Sequence, residues 1–283
     1  MEILLAALSA VAYGAADFLG GKASKSAPAL VVTGWSQLVG LVSVTMAAAV
    51  FGWSRILEAD LLWGAGAGVA GAVGLVLLYS GLAVAPMAVV APITAICAAT
   101  VPVVVGIASG DRPRPIALVG MALAIPAILL ISREDRSDPE VAKISIGRVL
   151  GLSMSSGLAF GFFYVAFAQC DTRAGLWPAV AARVASVVLV AGIIAVTGER
   201  AQVARGHRLA IIGIGLLDIA ANCLYLVASQ RGLLSIVSVV ASMYPASTVV
   251  LAWFVLRERM NRHQLMGVCA AALAVGLVAA GRS

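Results

Sequence analysis

The sequence predicts an all-α integral membrane protein, with ten transmembrane helices arranged as two inverted five-helix repeats around a central cavity. Three observations predict it. The 283 residues are 62% hydrophobic and only 11% charged, with a mean hydropathy of +1.05, whereas soluble domains carry about 25% charged residues. The apolar runs are long enough to cross a hydrocarbon core, for which a helix needs about 20 residues. One spacing, 147 residues, relates several parts of the chain to one another.

Ten spans are expected, at roughly 3–20, 29–52, 61–84, 87–108, 115–132, 147–169, 175–197, 209–230, 233–256 and 264–281. The chain opens with Glu2 and lacks the basic region of a cleavable signal, so Ile3 onward reads as a retained first span. From Leu61 to Gly110 there are 50 residues with no charge and no histidine. That is too long for one helix and right for two, with the break near Pro86. Arg133 to Lys143 (REDRSDPEVAK) holds seven charged residues in eleven and a proline. It divides the chain into a first half, 1–136, a linker, 137–143, and a second half, 144–283. In the ninth span, Gly232 to Leu256 is 25 residues without a charged acid or base. Tyr244-Pro245 interrupts it, because proline has no N–H to give and frees a carbonyl one turn earlier. Arg257, Glu258, Arg259 and Arg262 close the span.

The offset of 147 carries Ser235, Ser238 and Ser242 onto Ala88, Ala91 and Ala95, and Arg257-Glu258-Arg259 onto Gly110-Asp111-Arg112. It also pairs Ala12-Tyr13-Gly14 with Ala159-Phe160-Gly161, Gly66 and Gly68 with Gly213 and Gly215, and Gly120 with Gly267. Tyr79 and Tyr225 miss it by one residue. One offset serving five regions points to duplication. Five spans per half force the second half to enter the membrane from the opposite side, which makes the repeats inverted.

Net charge is +6. The basic residues sit in short polar segments between spans, with no basic patch interleaved with aromatics, so no nucleic-acid partner is expected. Cys97, Cys170, Cys223 and Cys269 lack C-x-x-C spacing, and His207 and His263 lie in polar loops, so neither a disulfide framework nor a metal site is expected. The glycines of Gly64-x-Gly66-x-Gly68 and Gly71-x-x-Gly74 lie within an apolar span, where close helix contact explains them better than a phosphate loop. No catalytic set can be assembled, and no cofactor is expected. With the N-terminus inside, the inside segments hold Arg55, Arg112, Arg114, Arg173, Arg231 and Arg282, six in all, against twelve basic residues outside. The positive-inside rule therefore puts the termini outside.

Ionisable residues at membrane depth cost about 2.5–3.5 kcal/mol on insertion scales and usually face a cavity or a partner. On the eighth span Asp218, Asn222, Tyr225 and Ser229 form one helical stripe. Tyr13 and Asp17 are one turn apart on the first span, Tyr164 occupies the related place on the sixth, and Tyr79 lies near the end of the third. Arg183 lies in the seventh, with Ser186 one turn on. These residues are expected to converge on a hydrated pocket, with Ser238, Ser242 and Tyr244 of the ninth span. Tyrosines would supply a wall and a donor, Asn222 and the serines would orient polar groups, Asp218 would take an amine or a proton, and Arg183 a carboxylate. Other readings stand beside these. Arg183 could snorkel or pair structurally with Asp218, terminal tyrosines could form an aromatic belt, and the serines could serve helix packing. Asp17, close to the expected end of its span, reads first as interfacial.

Tyr244-Pro245 followed by Arg257-Glu258-Arg259 and Gly267, with Asp111-Arg112 and Gly120 as a weaker copy, resembles the EamA-type branch of the drug/metabolite transporter superfamily. The family's usual glutamate is here Asp111 in the first half. The resemblance implies a ten-helix secondary transporter of the bacterial inner membrane with a central cavity between two lobes. It also implies cytoplasmic termini, against the charge count. The tail is similar to bacterial exporters of amino acids, including aromatic ones. The expected function is export of a small-molecule solute, neutral or aromatic amino acids first, by alternating access. The protein would work as a monomer in the lipid bilayer, either coupled to protons through Asp218 or uncoupled. Pro86, Pro102 and Pro245 are the expected flexible points. Efflux of amphipathic cations is the rival within transport, and it needs a deep acid. A lipid-modifying membrane enzyme is the rival of another class.

Overall fold

The computed structural model describes residues 1–51, 57–131, 146–199, 207–256 and 262–281. The linker residues 133–143 and the cluster Arg257-Glu258-Arg259 lie outside the described residues. Eleven α-helices are described: α1 (Glu2–Ser24), α2 (Ala29–Phe51), α3 (Glu58–Val84), α4 (Met87–Ala108), α5 (Pro115–Ile131), α6 (Ile146–Ala168), α7 (Trp177–Thr197), α8 (Arg208–Ser229), α9 (Leu234–Ala241), α10 (Tyr244–Leu256) and α11 (Arg262–Ala280). Eight of them are long and apolar enough to cross a membrane. The other two expected spans are α5, 17 residues long, and the α9–α10 pair. No strand occurs among the described residues.

The ninth span is therefore not one helix but two. The break falls at Ser242-Met243, just before Pro245 rather than at it. Ser242 still donates its N–H to Ser238 O at 2.9 Å, and the Met243 N–H tightens to Val240 O at 3.2 Å. Proline is tolerated in the first turn of a helix, where its missing N–H has no partner to lose. Pro245 accordingly sits at the start of α10 instead of inside a helix. Pro92 and Pro102, by contrast, lie within a continuous α4.

Helices of one half pack chiefly against helices of the other. The heaviest contacts are α1 with α8, α3 with α6 and α7, α4 with α6 and α9, α2 with α7 and α8, α1 with α9 and α10, and α5 with α11. Exchanging α1 with α6, α3 with α8 and α4 with α9–α10 maps this set onto itself, which is the pseudo-two-fold of an inverted repeat. The two lobes are thus drawn from both halves: α1, α8, α9 and α10 in one, α3, α4 and α6 in the other. Helices α2 and α7 lie between them.

Small residues set these approaches. A Cβ on Gly120 would lie 2.8 Å from Ala274 O and 2.9 Å from Val278 N, and one on Gly267 would lie 2.9 Å from Ala127 O and 2.5 Å from Ile131 N. Both sets differ by 147, so the α5–α11 interface is reciprocal. Likewise a Cβ on Gly68 would meet Ala182 O at 2.0 Å, and one on Gly215 would meet Ser36 O at 2.5 Å. Without a hydrophobic drive between helices in lipid, such backbone proximity is a main source of association. The outer surface is apolar, with Val50, Leu62, Val196 and Leu209 among its most exposed side chains. Glu2 at the start of α1 and Gly281 just after α11 lie on one face, where they surround a single depression with Arg112 and Arg231.

Candidate functional site

Polar side chains turn inward and meet in a cavity at the middle of the bundle. Cavity and open mouth together span about 530 Å3 of atom-free space. Tyr13 and Asp17 reach it from α1, Gln37 from α2, Phe160, Phe163 and Tyr164 from α6, Arg183 from α7, Asp218 and Asn222 from α8, and Tyr244 from α10. Gly68, Gly71, Ala72 and Leu75 of α3 form a smooth wall, with Ala182. Both halves contribute, as the exchange of helix partners requires.

Arg183 and Asp218 are each 4% exposed, and their side chains pair at 2.8 Å. Gln37 bridges them. Its amide donates to Asp218 Oδ2 at 3.2 Å, while its carbonyl oxygen accepts from Arg183 and from Ser186 Oγ at 2.8 Å. The Arg183 guanidinium lies over Gly40, where a Cβ would come within 3.1 Å of Nε. Two buried charges are tolerable when paired and hydrogen-bonded. This group is internally neutral, which matches the structural pairing weighed for Arg183 from the sequence.

A second polar link joins α1 to α8, where Tyr13 donates to Asn222 Oδ1. Tyr164 stacks on Tyr225 with ring centroids 4.3 Å apart, and Phe163 packs on Phe167 at 4.6 Å. Tyr225 does not line the cavity. Its hydroxyl hydrogen-bonds Ser238 Oγ at 2.8 Å and donates to Tyr164 O at 3.2 Å. This layer lies between the cavity and the face bearing the termini, since Tyr225 is one turn from the end of α8 that leads to Arg231. Tyr79 also lies off the cavity, fully buried against Gly20, where a Cβ would be 2.2 Å from its ring. Ser242 sits in the break after α9, with its hydroxyl toward Tyr164, whereas the Tyr79 hydroxyl has no hydrogen-bond partner among the described residues.

The break is stitched to α1. Ser247 Oγ donates to Ala10 O at 2.9 Å, and Thr248 Oγ1 donates to Gly14 O at 3.2 Å. A Cβ on Gly14 would stand 2.0 Å from Ser247 Oγ. Tyr244 thereby points into the cavity, its hydroxyl donating to Ala91 O at 3.4 Å.

Two cavity residues run against the sequence reading. Asp17 is not interfacial: it is 7% exposed and lines the cavity. Helix α1 continues to Ser24, four residues past its expected end, which puts Asp17 about 10 Å inside it at 1.5 Å per residue. The acid that cation efflux requires is thus supplied by Asp17 as well as by Asp218. Gln37, which organises the ion pair, was not singled out at all. Its signal was an uncharged polar side chain in an otherwise apolar span. Among the described residues no group of three metal-ligating side chains exists, and all four cysteines are free.

The model of the EamA-like transporter family matches residues 1–133 and 147–280. Among curated proteins none matches the chain. Twenty-nine chains of solved structures resemble it. One is a crystal structure of a protein 15% identical, with a TM-score of 0.77, covering 96% of this chain and 94% of that one. At such identity the likeness concerns the fold alone.

Proposed function

The chain belongs to the EamA-like transporter family, and from that premise we propose that it moves small solutes with an amine and an apolar or aromatic body by alternating access. Membership in this family makes it a multi-pass membrane transporter of small solutes and sets aside the lipid-modifying enzyme. The finer reading rests on one observation. A mid-bundle cavity with an aromatic wall (Tyr13, Phe160, Phe163, Tyr164, Tyr244) draws its polar groups from both lobes. Relative motion of α1–α8–α9–α10 against α3–α4–α6 changes which face reaches that cavity, while the central ion pair travels as a neutral unit. Opening toward the termini requires the Tyr164–Tyr225 stack to part. The residues proposed to meet the solute are Tyr13, Tyr164, Asn222 and Tyr244, with Arg183 and Asp218 holding the floor. Export from a bacterial cytoplasm, with neutral and aromatic amino acids as first solutes, follows the same proposal.

The test is counterflow in proteoliposomes loaded with radiolabelled phenylalanine, tryptophan or leucine. Accumulation against an unlabelled gradient, reduced by Tyr164→Ala, supports the reading. No counterflow of any amino acid, amine or sugar by folded protein overturns it.

A further inference from the structure

Asp17 carries more than the family's general activity implies. It is 93% buried, since only 7% of it is exposed, and it lines the cavity. Yet no described residue donates a hydrogen bond to it or pairs with its charge. The one cation lining the cavity among the described residues, Arg183, is already held by Asp218 at 2.8 Å. The cavity therefore carries one uncompensated carboxyl. A lone carboxylate in a low-dielectric site is costly unless it is protonated or meets a cation.

Its surroundings suit a cation. Asp17 lies within electrostatic reach of Asp218 of α8, Tyr79 of α3, Tyr164 of α6 and Tyr244 of α10. Arg183 of α7, Gln37 of α2 and Tyr13 of α1 line the same cavity. Helices α2 and α9 present no ionisable side chain toward it, and Lys22 of α1 and Lys25 just after it are exposed. Ring faces attract ammonium groups, while the charge of the guanidinium lining the cavity, Arg183, is already cancelled by Asp218.

We propose that Asp17 is a cation subsite: it takes the ammonium group of a small aromatic or apolar amine and holds a proton when the amine is absent. This rests on the transporter reading and sharpens it: the amine is the group recognised, so a monocation binds more tightly than the zwitterionic amino acid with the same body. Binding of the ammonium ion displaces the carboxyl proton, so amine and proton compete for one group. Their movements in opposite directions are then coupled.

The experiment uses the purified full-length protein with phenethylamine and phenylalanine, which differ by one carboxylate. Phenethylamine should bind with release of about one proton in weak buffer, and below the carboxyl pKa its affinity should fall about tenfold per pH unit. Phenylalanine should bind at least tenfold more weakly. Asp17→Asn should abolish both the proton release and the pH dependence, and Asp17→Glu should restore them. Equal phenethylamine binding and pH dependence in Asp17→Asn overturns the proposal, as does binding without proton release by the wild type. If amino-acid counterflow persists alongside either result, the subsite fails and the transporter reading stands. If phenethylamine binds with proton release but no solute crosses, the subsite stands and the transporter reading fails.

Discussion

Asp17 and Asp218 enter the same cavity from neighbouring helices, α1 and α8, and both are almost wholly buried. Asp218 has a guanidinium at 2.8 Å and the Gln37 amide at 3.2 Å. Asp17 has neither. The same side chain thus serves two opposed ends. One acid has its charge cancelled so that it holds α2, α7 and α8 together, and the other is left open to whatever enters. Burial alone does not separate these roles; the presence of a partner does.

The comparison breaks most visibly at the paired acid. Arg183→Leu leaves Asp218 buried without its counter-charge and should destabilise the protein by about 3–5 kcal/mol, the range for halving a buried pair. Thermal unfolding in detergent measures it, and Arg183→Leu with Asp218→Leu should recover most of the loss. A double variant no more stable than the single one would show that the pair is not what Arg183 contributes. Gln37→Leu should cost less, about 1–3 kcal/mol, because it leaves donors and an acceptor unsatisfied while the ion pair survives. Asp17→Asn should change melting by less than about 0.5 kcal/mol, or raise it, since no contact is lost. A large drop there would mean that Asp17 has a structural partner after all.

The smallest effect is expected outside the bundle, at Asp171. There Arg173 donates from Nη2 at 2.7 Å and from its backbone N–H at 2.8 Å. These bonds hold the carboxyl well below its usual range. Its contribution is therefore present above about pH 4, the unfolded carboxyl value, and is lost as pH falls through the lowered folded value. The pair lies at the surface, with a third of the Asp171 side chain exposed, so Asp171→Asn should leave the neutral-pH melting temperature unchanged. A clear shift at neutral pH would give this pair a weight the buried acids do not share.

Much of the fold was legible because a bilayer imposes a length on every crossing, and an uncharged run of about 20 residues is hard to mistake. The 147-residue offset was legible at Gly120 and Gly267 because a close backbone approach tolerates so few residue types. Which helix packs on which was not legible. Hydropathy gives no partner, and the pairing of α1 with α8 and of α3 with α6 across the halves leaves no periodic trace. Asp17 was misplaced because distance to the end of an apolar run was read as depth, while α1 continues through Lys22. Gln37 was not legible because it is a lone amide in an apolar span with no ionisable residue beside it to mark the spot. The break in the ninth span was announced by Pro245, but its position two residues earlier follows from proline's place in a first turn.

The α5–α11 seam presents the same glycine, the same alanine and the same carbonyl from either side. Such a surface is its own complement: a polypeptide of half this length could have made it with an upside-down twin before any fusion joined them. The tether between the halves is then a convenience of inheritance, and two separately translated fragments meeting in one bilayer should still find each other across that seam.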